Sequence, residues 1–205
     1  MQIKFKRIFD ILLAASVLLL FLPLWAIIAI LIKTTSKGPV FFLQERPGMH
    51  RRIFKVYKFR TMKPGSHKMI KGQEVMKDDD RVTKIGKFLR RSKLDEIPQL
   101  LNVLKGEMSI VGPRPERIDS LRDYTPEISK RLNMKPGLTG LAQVSGNIYL
   151  SLIERYKLDV YYVENFTLFL DLKIILRTIG VVLFGEDKFA KKDLNNDNSG
   201  INEVK

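Results

Sequence analysis

An uncharged apolar run from Ile11 to Ile32 constrains the fold of this chain more than any other stretch of its sequence. A run of this length can cross a lipid bilayer as a helix. Pro23 lies in the middle of the run, where a proline breaks the hydrogen-bond ladder of a helix. Basic residues, which favour the cytoplasmic side of a membrane, lie on both flanks: Lys4, Lys6 and Arg7 before the run, and Lys33 and Lys37 after it. The pattern favours a helix that enters the membrane, breaks at Pro23 and returns to the same face, with a proline-kinked spanning helix as the alternative.

The balance of charged residues points to an anionic partner. The chain carries 36 Lys and Arg against 22 Asp and Glu, a net charge of +14. Phospholipid head groups, nucleic acid and phosphorylated substrates all match that charge. The sequence contains no Cys, which excludes a disulfide framework, a thiol nucleophile and a Cys-based zinc site. His50 and His67 lack the spacing of metal ligands, so we interpret both as surface residues.

The residues after the apolar run predict a β-hairpin and then a basic helix. PVFFLQER and IFKVYKFRTM are rich in Val, Phe, Ile and Tyr and are separated by a glycine-containing basic turn, a pattern typical of two strands. A polar loop is expected over residues 63–80. Residues 81–92 predict an amphipathic helix with basic residues beside an apolar face formed by Val82, Ile85, Phe88 and Leu89. Next to a membrane anchor we expect this helix to contact lipid phosphates, although a solvent-exposed amphipathic helix has the same pattern.

The chain beyond residue 116 predicts further helices around one glycine-rich loop. Residues 117–124 and 126–134 are expected to be helical. The loop at 135–146, KPGLTGLAQVSG, either lets a ligand approach the backbone closely or forms a structural cluster of turns.

Two helices are predicted in the C-terminal part of the chain. Residues 151–165 indicate an amphipathic helix with an aromatic side at Tyr156, Tyr161 and Tyr162. Residues 166–184 are apolar but contain three charged residues, which favours a helix lying in the lipid head groups over a second span. A buried core helix is the alternative. From residue 186 onward, a polar composition without periodicity predicts a disordered tail.

The stretch KLDEIPQLLNVLKGEMSIVGPRPE, from Lys93 to Glu116, places two adjacent carboxylates at the start of a short apolar helix. Ser92 with Asp95 matches a capping box, but that start would leave Pro98 deep enough to lose a backbone hydrogen bond. If Asp95 itself is the N-cap, Pro98 lies in the first turn, where it is tolerated. The helix is expected to end at Lys105-Gly106.

Asp95 and Glu96 are expected to stay ionised, because free N–H groups and the positive end of the helix dipole favour negative charge there. Neighbours on a helix point in different directions, so the pair is expected to have two different roles rather than to share one proton. The alternative is that Asp95 is only an N-cap and Glu96 only a first-turn charge.

Arg114 lies between Pro113 and Pro115. The two prolines fix the backbone on both sides, which lowers the entropy cost of presenting one guanidinium group to an anion. Arginine also matches phosphate with two parallel hydrogen bonds. The motif predicts binding of an anionic substrate, and a proline-rich surface turn is the alternative.

Several motifs in order resemble the bacterial sugar transferase family, the monotopic polyprenol-phosphate phosphoglycosyl transferases. The matching segments, which run to about Phe184, are Lys6-Arg7 with Phe9-Asp10, GPVFFLQERPG from Gly38, KFRTM from Lys58, LDEIPQLLNVLKGEMSIVGPRPE from Leu94 and KPGLTGLAQVSG from Lys135. The resemblance implies a mixed α/β, mostly helical fold in which a re-entrant membrane helix and interfacial amphipathic helices surround a small antiparallel sheet. We therefore expect a membrane anchor over residues 1–37, a cytosolic catalytic domain over 38–185 and the tail over 186–205.

The resemblance also implies an activity. The enzyme would transfer a sugar 1-phosphate from a UDP-sugar to undecaprenyl or another polyprenol phosphate and release UMP, the first membrane step of glycoconjugate and polysaccharide assembly. An N-acetylated amino or diamino sugar is expected. The predicted location is the cytoplasmic face of the bacterial inner membrane, in contact with phospholipid and without a nucleic-acid partner.

Residue roles follow from the same resemblance. Asp95 is the expected nucleophile and Mg²⁺ ligand, and Glu96 is assigned to metal or acid–base support. Arg90, five residues before the nucleophile, is expected to bind the lipid phosphate. The other expected substrate-binding residues are Arg60, Pro113, Arg114 and Pro115. Mg²⁺ would neutralise charge as one anion attacks another.

Two other functions remain open at the level of sequence. A membrane-anchored basic scaffold or nucleic-acid-binding module would use the positive charge alone, although no stacking motif or recognition helix supports it. A nucleotide-sugar hydrolase would turn over without lipid.

Overall fold

The computed structural model of the protein describes residues 1–66 and 79–185. Most of the predicted polar loop at 63–80, including His67, and the tail predicted from residue 186 lie outside the described residues. The described chain is mostly helical with a small antiparallel sheet, as predicted. Its helices are α1 Gln2–Leu20, α2 Leu22–Thr35, α3 Lys84–Arg91, α4 Leu100–Lys105, α5 Pro126–Ser129, α6 Leu141–Val144, α7 Leu152–Glu164 and α8 Leu168–Phe184. Its strands are β1 Phe41–Pro47, β2 Ile53–Phe59, β3 Ser109–Val111 and β4 Gly137–Thr139.

The predicted hairpin is confirmed by strands β1 and β2. They pair in antiparallel register, with Phe42 opposite Lys58 and Gln44 opposite Val56. The sequence between them forms a 3₁₀ turn at Met49–Arg51. Exposure alternates along β1, so Phe42, Gln44 and Arg46 share its less exposed face.

Strands β3 and β4 form a parallel pair that the sequence pattern did not predict. Glycines make this pairing possible, because a Cβ atom at Gly137 would lie 2.1 Å from the backbone nitrogen of Gly112. A Cβ atom at Gly140 would likewise lie 2.2 Å from the Gly112 oxygen. The predicted loop therefore contains β4 and α6 rather than a cluster of turns, and its glycines let two segments of the chain approach each other.

Helices α1 and α2 form the bent N-terminal pair. They meet at Phe21 and are inclined by 64°. Pro23 lies in the first turn of α2, where its missing N–H is tolerated, whereas a continuous helix would lose the hydrogen bond to Leu19. The predicted break in the apolar helix is thus confirmed. Within the described ranges, no single helix has the length and composition of a membrane span, but this bent pair has both.

Polar side chains of α1 attach it to the rest of the protein. The Lys6 ammonium lies 2.6 Å from the carboxylate of Asp171 on α8, and both side chains are buried. Arg7 donates to the backbone oxygens of Val103 and Leu104 at the end of α4. Lys6 and Arg7, two of the basic residues that precede the apolar run, therefore make long-range contacts inside the protein.

Asp10 provides another link between α1 and β3. Its carboxylate accepts hydrogen bonds from the Ser109 hydroxyl at 2.7 Å and from the Ile110 N–H at 3.0 Å. Ala14, one turn further along α1, is buried in the main hydrophobic cluster with Val103 and Met108. Helix α1 thus packs into the main hydrophobic cluster and also belongs to the bent pair.

Three predicted faces differ from the observed ones. On α3, Leu89 is buried but Phe88 is exposed, so the apolar residues do not share one face. On α7, Tyr156 and Tyr162 are buried and Tyr161 is exposed. Helix α8 combines both alternatives for its segment, because Asp171 and Ile174 are buried while its outer side exposes Phe169, Leu172, Leu176, Ile179, Leu183 and Phe184.

Candidate active site

The two adjacent carboxylates lie in a 3₁₀ turn, Leu94–Gln99, that leads into α4. Lys93 precedes the turn in the left-handed conformation, with φ of 58°. Neither predicted helix start is formed, since the Ser92 hydroxyl donates back to Phe88 in α3 and the Asp95 side chain caps no N–H group. The tighter 3₁₀ geometry keeps Pro98 out of an α-helical turn, and this is the physical reason for the difference. The predicted end of α4 is confirmed: Gly106 adopts φ of 83°.

The turn faces a cavity of about 480 Å³. The walls come from the hairpin, from the segment that follows β2, and from the end of α3. Residues that matter for its chemistry are Phe42, Gln44, Lys58, Arg90, Asp95 and Glu96. The cavity therefore brings together residues from three separate parts of the sequence.

Glu96 is held by two cations. Its carboxylate oxygen Oε1 lies 2.6 Å from Lys58 Nζ and 3.0 Å from Arg114 Nη2. Burial alone would raise the pKa of Glu96, but the charges and hydrogen bonds of Arg114 and Lys58 outweigh it and hold that pKa well below its usual range. Glu96 is thus a permanent carboxylate whose charge is largely compensated.

Asp95 is in the opposite situation. Burial, together with the negative charge of Glu96, raises the pKa of its carboxyl group above the usual 3.8, while Lys58 and Arg90 act in the other direction. No Lys, Arg or His among the described residues lies within ion-pairing distance of Asp95. A carboxylate that faces a cavity without a paired cation is more reactive than its neighbour, so the prediction of two different roles agrees with the geometry.

Arg90 reaches the cavity from the last turn of α3. Its Nε donates to the Thr61 hydroxyl at 2.9 Å, and neither terminal nitrogen hydrogen-bonds to a described residue. Gly86 packs against the Thr61 carbonyl so closely that a Cβ atom there would lie 2.0 Å away. Thr61 and α3 therefore fix the Arg90 guanidinium. The structure brings Arg90 and Asp95, both predicted as site residues, together in one cavity.

The Pro113-Arg114-Pro115 turn lies behind Glu96 rather than in the cavity wall. The Arg114 side chain forms an ion pair with Glu96, and the Arg114 backbone oxygen accepts a hydrogen bond from Arg131 at 2.7 Å. The three residues of the turn line a separate small crevice. A sequence motif cannot distinguish an arginine that faces a ligand from one that faces a neighbouring carboxylate, and here the partner is Glu96.

Arg60 borders the cavity, but its guanidinium points to the end of α2. It donates to the backbone oxygens of Lys37 at 2.9 Å and Ser36 at 2.8 Å, which follow α2. A cation at a helix C-terminus satisfies carbonyl groups that the helix leaves free. The structure therefore gives Arg60 a role in attaching the helix pair, and its role as a substrate ligand stays a prediction.

Lys58 and Gln44 were missed as site residues by the sequence reasoning. Both lie within motifs that the resemblance rests on, KFRTM and QERPG. The available signal was the alternation of side chains along β1, which puts Gln44 on the same face as Phe42. Phe42 in turn pairs with Lys58 on β2. That signal needs the strand register, and a sequence does not give the register.

The described residues contain no group of three or more Asp, Glu, His or Cys side chains that could enclose a metal ion. Mg²⁺ does not require such a group, because it is often bound by one or two carboxylates together with substrate phosphates and water. Asp95 has a carboxylate free for this purpose, and Glu96 lies next to it. The donor set fits an ion that is shared with a phosphorylated substrate.

Comparison with known proteins agrees with these features. A family model described as "Bacterial sugar transferase" matches residues 1–185. An uncharacterized sugar transferase, EpsL of Bacillus subtilis, is 45% identical over 185 residues, which cover 88% of this chain and 88% of that protein. The UDP-glucose:undecaprenyl-phosphate glucose-1-phosphate transferase of Klebsiella pneumoniae is 43% identical over 185 residues, 85% of this chain and 39% of that protein. The UDP-N-acetylgalactosamine-undecaprenyl-phosphate N-acetylgalactosaminephosphotransferase of Aeromonas hydrophila is 43% identical over 187 residues, 88% of this chain and 44% of that protein. The chain thus spans less than half the length of the last two relatives.

Proposed function

Because the chain belongs to the bacterial sugar transferase family of polyprenol-phosphate phosphoglycosyl transferases, we propose that it transfers a sugar 1-phosphate from a UDP-sugar to undecaprenyl phosphate and releases UMP. The names of the Klebsiella and Aeromonas relatives support this donor and acceptor. The observation that carries the proposal is the asymmetry of the two carboxylates: Glu96 is paired with two cations, whereas Asp95 faces the cavity beside Arg90 and forms no ion pair with any residue that the structure describes.

In the first step, a carboxylate oxygen of Asp95 attacks the phosphorus that carries the sugar. A phosphorus–oxygen bond to Asp95 forms, the anhydride bond to UMP breaks, and UMP leaves with the bonding electron pair. In the second step, an oxygen of the lipid phosphate attacks the same phosphorus, and Asp95 leaves as a carboxylate. No net proton is transferred, and the covalent phosphosugar–aspartyl intermediate divides one difficult displacement into two.

Charge compensation is the main requirement of both steps, since each brings one anion to another. Mg²⁺, bound by Asp95 or Glu96 together with substrate phosphates, would supply Lewis-acid stabilisation. Lys58 and Arg114 hold Glu96 in place and keep it ionised. A carboxyl group with such a low pKa is a poor proton donor near neutral pH, so we assign Glu96 to metal and electrostatic support rather than to acid–base catalysis.

Arg90 is proposed to bind the phosphate of the lipid acceptor. Its Nε is held by Thr61, and its terminal nitrogens are available to a phosphate that approaches Asp95. A guanidinium group contacts phosphate through two parallel hydrogen bonds. In this position Arg90 would align the acceptor for the second step.

The bent helix pair is proposed to be a re-entrant anchor in one leaflet of the bacterial inner membrane. The 64° bend and the exposed apolar side chains of Leu19, Leu20, Leu22, Ile27 and Ile30 support this arrangement. Residues 1–37 would form the anchor, and residues 38–185 the catalytic domain on the cytoplasmic face. The exposed apolar side of α8 would lie among the lipid head groups.

For the sugar we propose an N-acetylated amino or diamino sugar. The Aeromonas relative supports this class, whereas the Klebsiella relative of equal identity is named for glucose. A panel of UDP-sugars therefore decides the question, with UMP release by the purified protein measured with and without polyprenol phosphate. The proposal is supported if one UDP-sugar gives continued UMP release and if this turnover requires the lipid. Turnover without lipid would indicate a hydrolase, and no UMP with any sugar would favour a scaffold.

A further inference from the structure

Gln44 is a cavity residue with no part in the mechanism described so far. It lies on β1, on the same face as Phe42 and Arg46, and its side chain is half-buried. Arg46 is not part of the cavity wall. The two side chains contact each other: Arg46 Nη2 donates to Gln44 Oε1 at 2.8 Å.

This contact fixes the orientation of the Gln44 amide. A guanidinium group can only donate hydrogen bonds, so the atom of Gln44 that meets Arg46 must be its carbonyl oxygen. The NH₂ group is then directed away from Arg46, and it makes no hydrogen bond to any residue that the structure describes. The cavity thus contains an oriented donor that is available to a ligand.

Arg46 connects this donor to the rest of the active site. Its second terminal nitrogen, Nη1, donates to the backbone oxygen of Pro115 at 3.3 Å. Pro115 follows Arg114, which in turn binds Glu96. Arg46 therefore connects the amide of Gln44 to the backbone next to Arg114, while Arg114 and Lys58 hold Glu96 directly.

The charged neighbours of Arg46 and Arg90 associate Gln44 with the UDP-sugar rather than with the lipid phosphate. The charged neighbours of Arg46 are Arg114, Glu116, Arg117 and Glu96. Those of Arg90 are Asp95, Asp79 and Arg81. Through Arg46, Gln44 is thus associated with Arg114, whereas Arg90, the proposed ligand of the lipid phosphate, has Asp79 and Arg81 as its further charged neighbours.

We propose that Gln44 donates a hydrogen bond to an oxygen of the UDP-sugar, and that Arg46 is the residue that positions it. This inference rests on the proposed function and adds a residue for recognition of the donor substrate. An amide donor suits a hydroxyl, carbonyl or phosphate oxygen, all of which a nucleotide sugar offers.

Two substitutions and one control test the proposal in the full-length protein. Gln44→Glu keeps the oxygen that Arg46 binds but removes the donor, and Gln44→Met removes both polar atoms at similar length. Both should lower kcat/KM for the UDP-sugar by about tenfold, as expected for a lost substrate hydrogen bond, and leave kcat/KM for polyprenol phosphate unchanged. In a two-step mechanism these constants report on separate half-reactions. Glu45→Gln, on the exposed face of the same strand, should behave like the wild type.

Arg46→Lys extends the test to the positioning residue. Lysine cannot reproduce the two-pronged contact with Gln44 and Pro115, so kcat/KM for the UDP-sugar should again fall while that for the lipid is kept. Melting temperatures are measured for all variants. If Gln44→Met does not fold, Gln44→Glu still decides the question, because it keeps the contact with Arg46.

Three results would overturn the proposal. Wild-type kinetics in the folded Gln44 variants would show that Gln44 does not bind the UDP-sugar and has only a structural role. A larger loss in kcat/KM for the lipid than for the donor would assign it to the other substrate. A wild-type protein that releases no UMP would overturn the proposed function itself, and the Gln44 role with it.

Discussion

Lys58 Nζ lies 2.6 Å from Oε1 of Glu96, although the two residues are 38 positions apart in the chain. Their contact joins the hairpin to the 3₁₀ turn that carries both carboxylates. Together with Arg114 it holds the pKa of Glu96 well below its usual range, whereas burial and the negative charge of Glu96 raise the pKa of Asp95. The proposed division between supporting carboxylate and nucleophile depends on this arrangement.

Lys58→Met should move the acid limit of activity to higher pH. Asp95 must be ionised to attack, so activity falls as the pH drops through its raised pKa. Lys58 lowers the pKa of Asp95, and its removal therefore raises that pKa further. The measurement is the pH dependence of the initial burst of UMP from UDP-sugar without lipid. Near neutral pH the burst rate should also fall at least about tenfold.

Lys55→Met is the matched control, because Lys55 lies on the exposed face of the same strand. Its pH profile should overlay that of the wild type. An unchanged acid limit in Lys58→Met would show that Asp95 is not the group that titrates.

Arg114→Lys should reduce activity while the protein remains folded. The guanidinium of Arg114 contacts both oxygens of Glu96, at 3.0 and 3.5 Å, and lysine keeps the charge but loses this paired contact. We expect kcat to fall about 10- to 100-fold with a melting temperature close to the wild-type value. Arg117→Lys, at an exposed arginine three residues away, is the control. Wild-type kinetics in Arg114→Lys would make the contact with Glu96 irrelevant to catalysis.

Local patterns predicted most of the secondary structure. Two segments rich in Val, Phe, Ile and Tyr around a glycine-containing turn predicted the hairpin, Pro23 predicted the break between α1 and α2, and Gly106 predicted the end of α4. The start of the central turn was wrong, since two local rules, side-chain capping and avoidance of Pro98, competed there. A 3₁₀ turn satisfies the proline without a side-chain cap.

The long-range contacts could not be predicted in the same way. Lys6 and Asp171 are separated by 165 residues, and nothing local to either one indicates the other. Lys58 and Gln44 enter the site through the strand register, which depends on the tertiary fold. Sequence reasoning therefore identified the adjacent carboxylates and Arg114, but not Lys58, the second cation that holds Glu96.

Lys6→Met should destabilise the protein strongly, because it leaves the buried carboxylate of Asp171 without its cation. Loss of one partner of a buried ion pair costs about 3–5 kcal/mol, which corresponds to a decrease of about 10 °C in melting temperature for a chain of this size. Melting in detergent measures the effect. Lys4→Met, at an exposed position on the same helix, should have almost none.

The double variant Lys6→Met with Asp171→Asn tests the cause. Asparagine keeps an oxygen for the Tyr162 hydroxyl, which lies 2.6 Å from the Asp171 carboxylate, and removes the unpaired charge. Much of the lost stability should return. If the double variant is no more stable than Lys6→Met, the buried charge is not the reason for the loss.

Pro23→Leu should favour a continuous helix across the break at Phe21, because leucine restores the backbone N–H that a helix requires. In the wild type, a reporter at the N-terminus should be found in the cytoplasm together with the catalytic domain. In the variant, a fraction of the N-termini should reach the other side of the membrane. A periplasmic N-terminus in the unaltered protein would exclude the re-entrant anchor.

Asp95→Asn should abolish turnover with little effect on stability. Asparagine has the same shape but no anionic oxygen, and Asp95 caps no helix N–H in the structure. Since burial already disfavours its charged form, we expect the melting temperature to stay the same or rise slightly. Wild-type enzyme given UDP-sugar without lipid should accumulate a covalent adduct at Asp95, detectable by intact mass and peptide mapping. It should also exchange labelled UMP into UDP-sugar, and Asp95→Asn should do neither.

Glu96→Gln separates the roles of the two neighbours in the same assays. It should slow turnover yet still form some adduct at Asp95, because the nucleophile is present and only its electrostatic support is lost. Loss of the adduct in Asp95→Asn together with its slow appearance in Glu96→Gln is the pattern that the proposed mechanism requires. If Asp95→Asn still exchanges UMP, or if the adduct maps to another residue, Asp95 is not the nucleophile and a role as metal ligand becomes the better assignment.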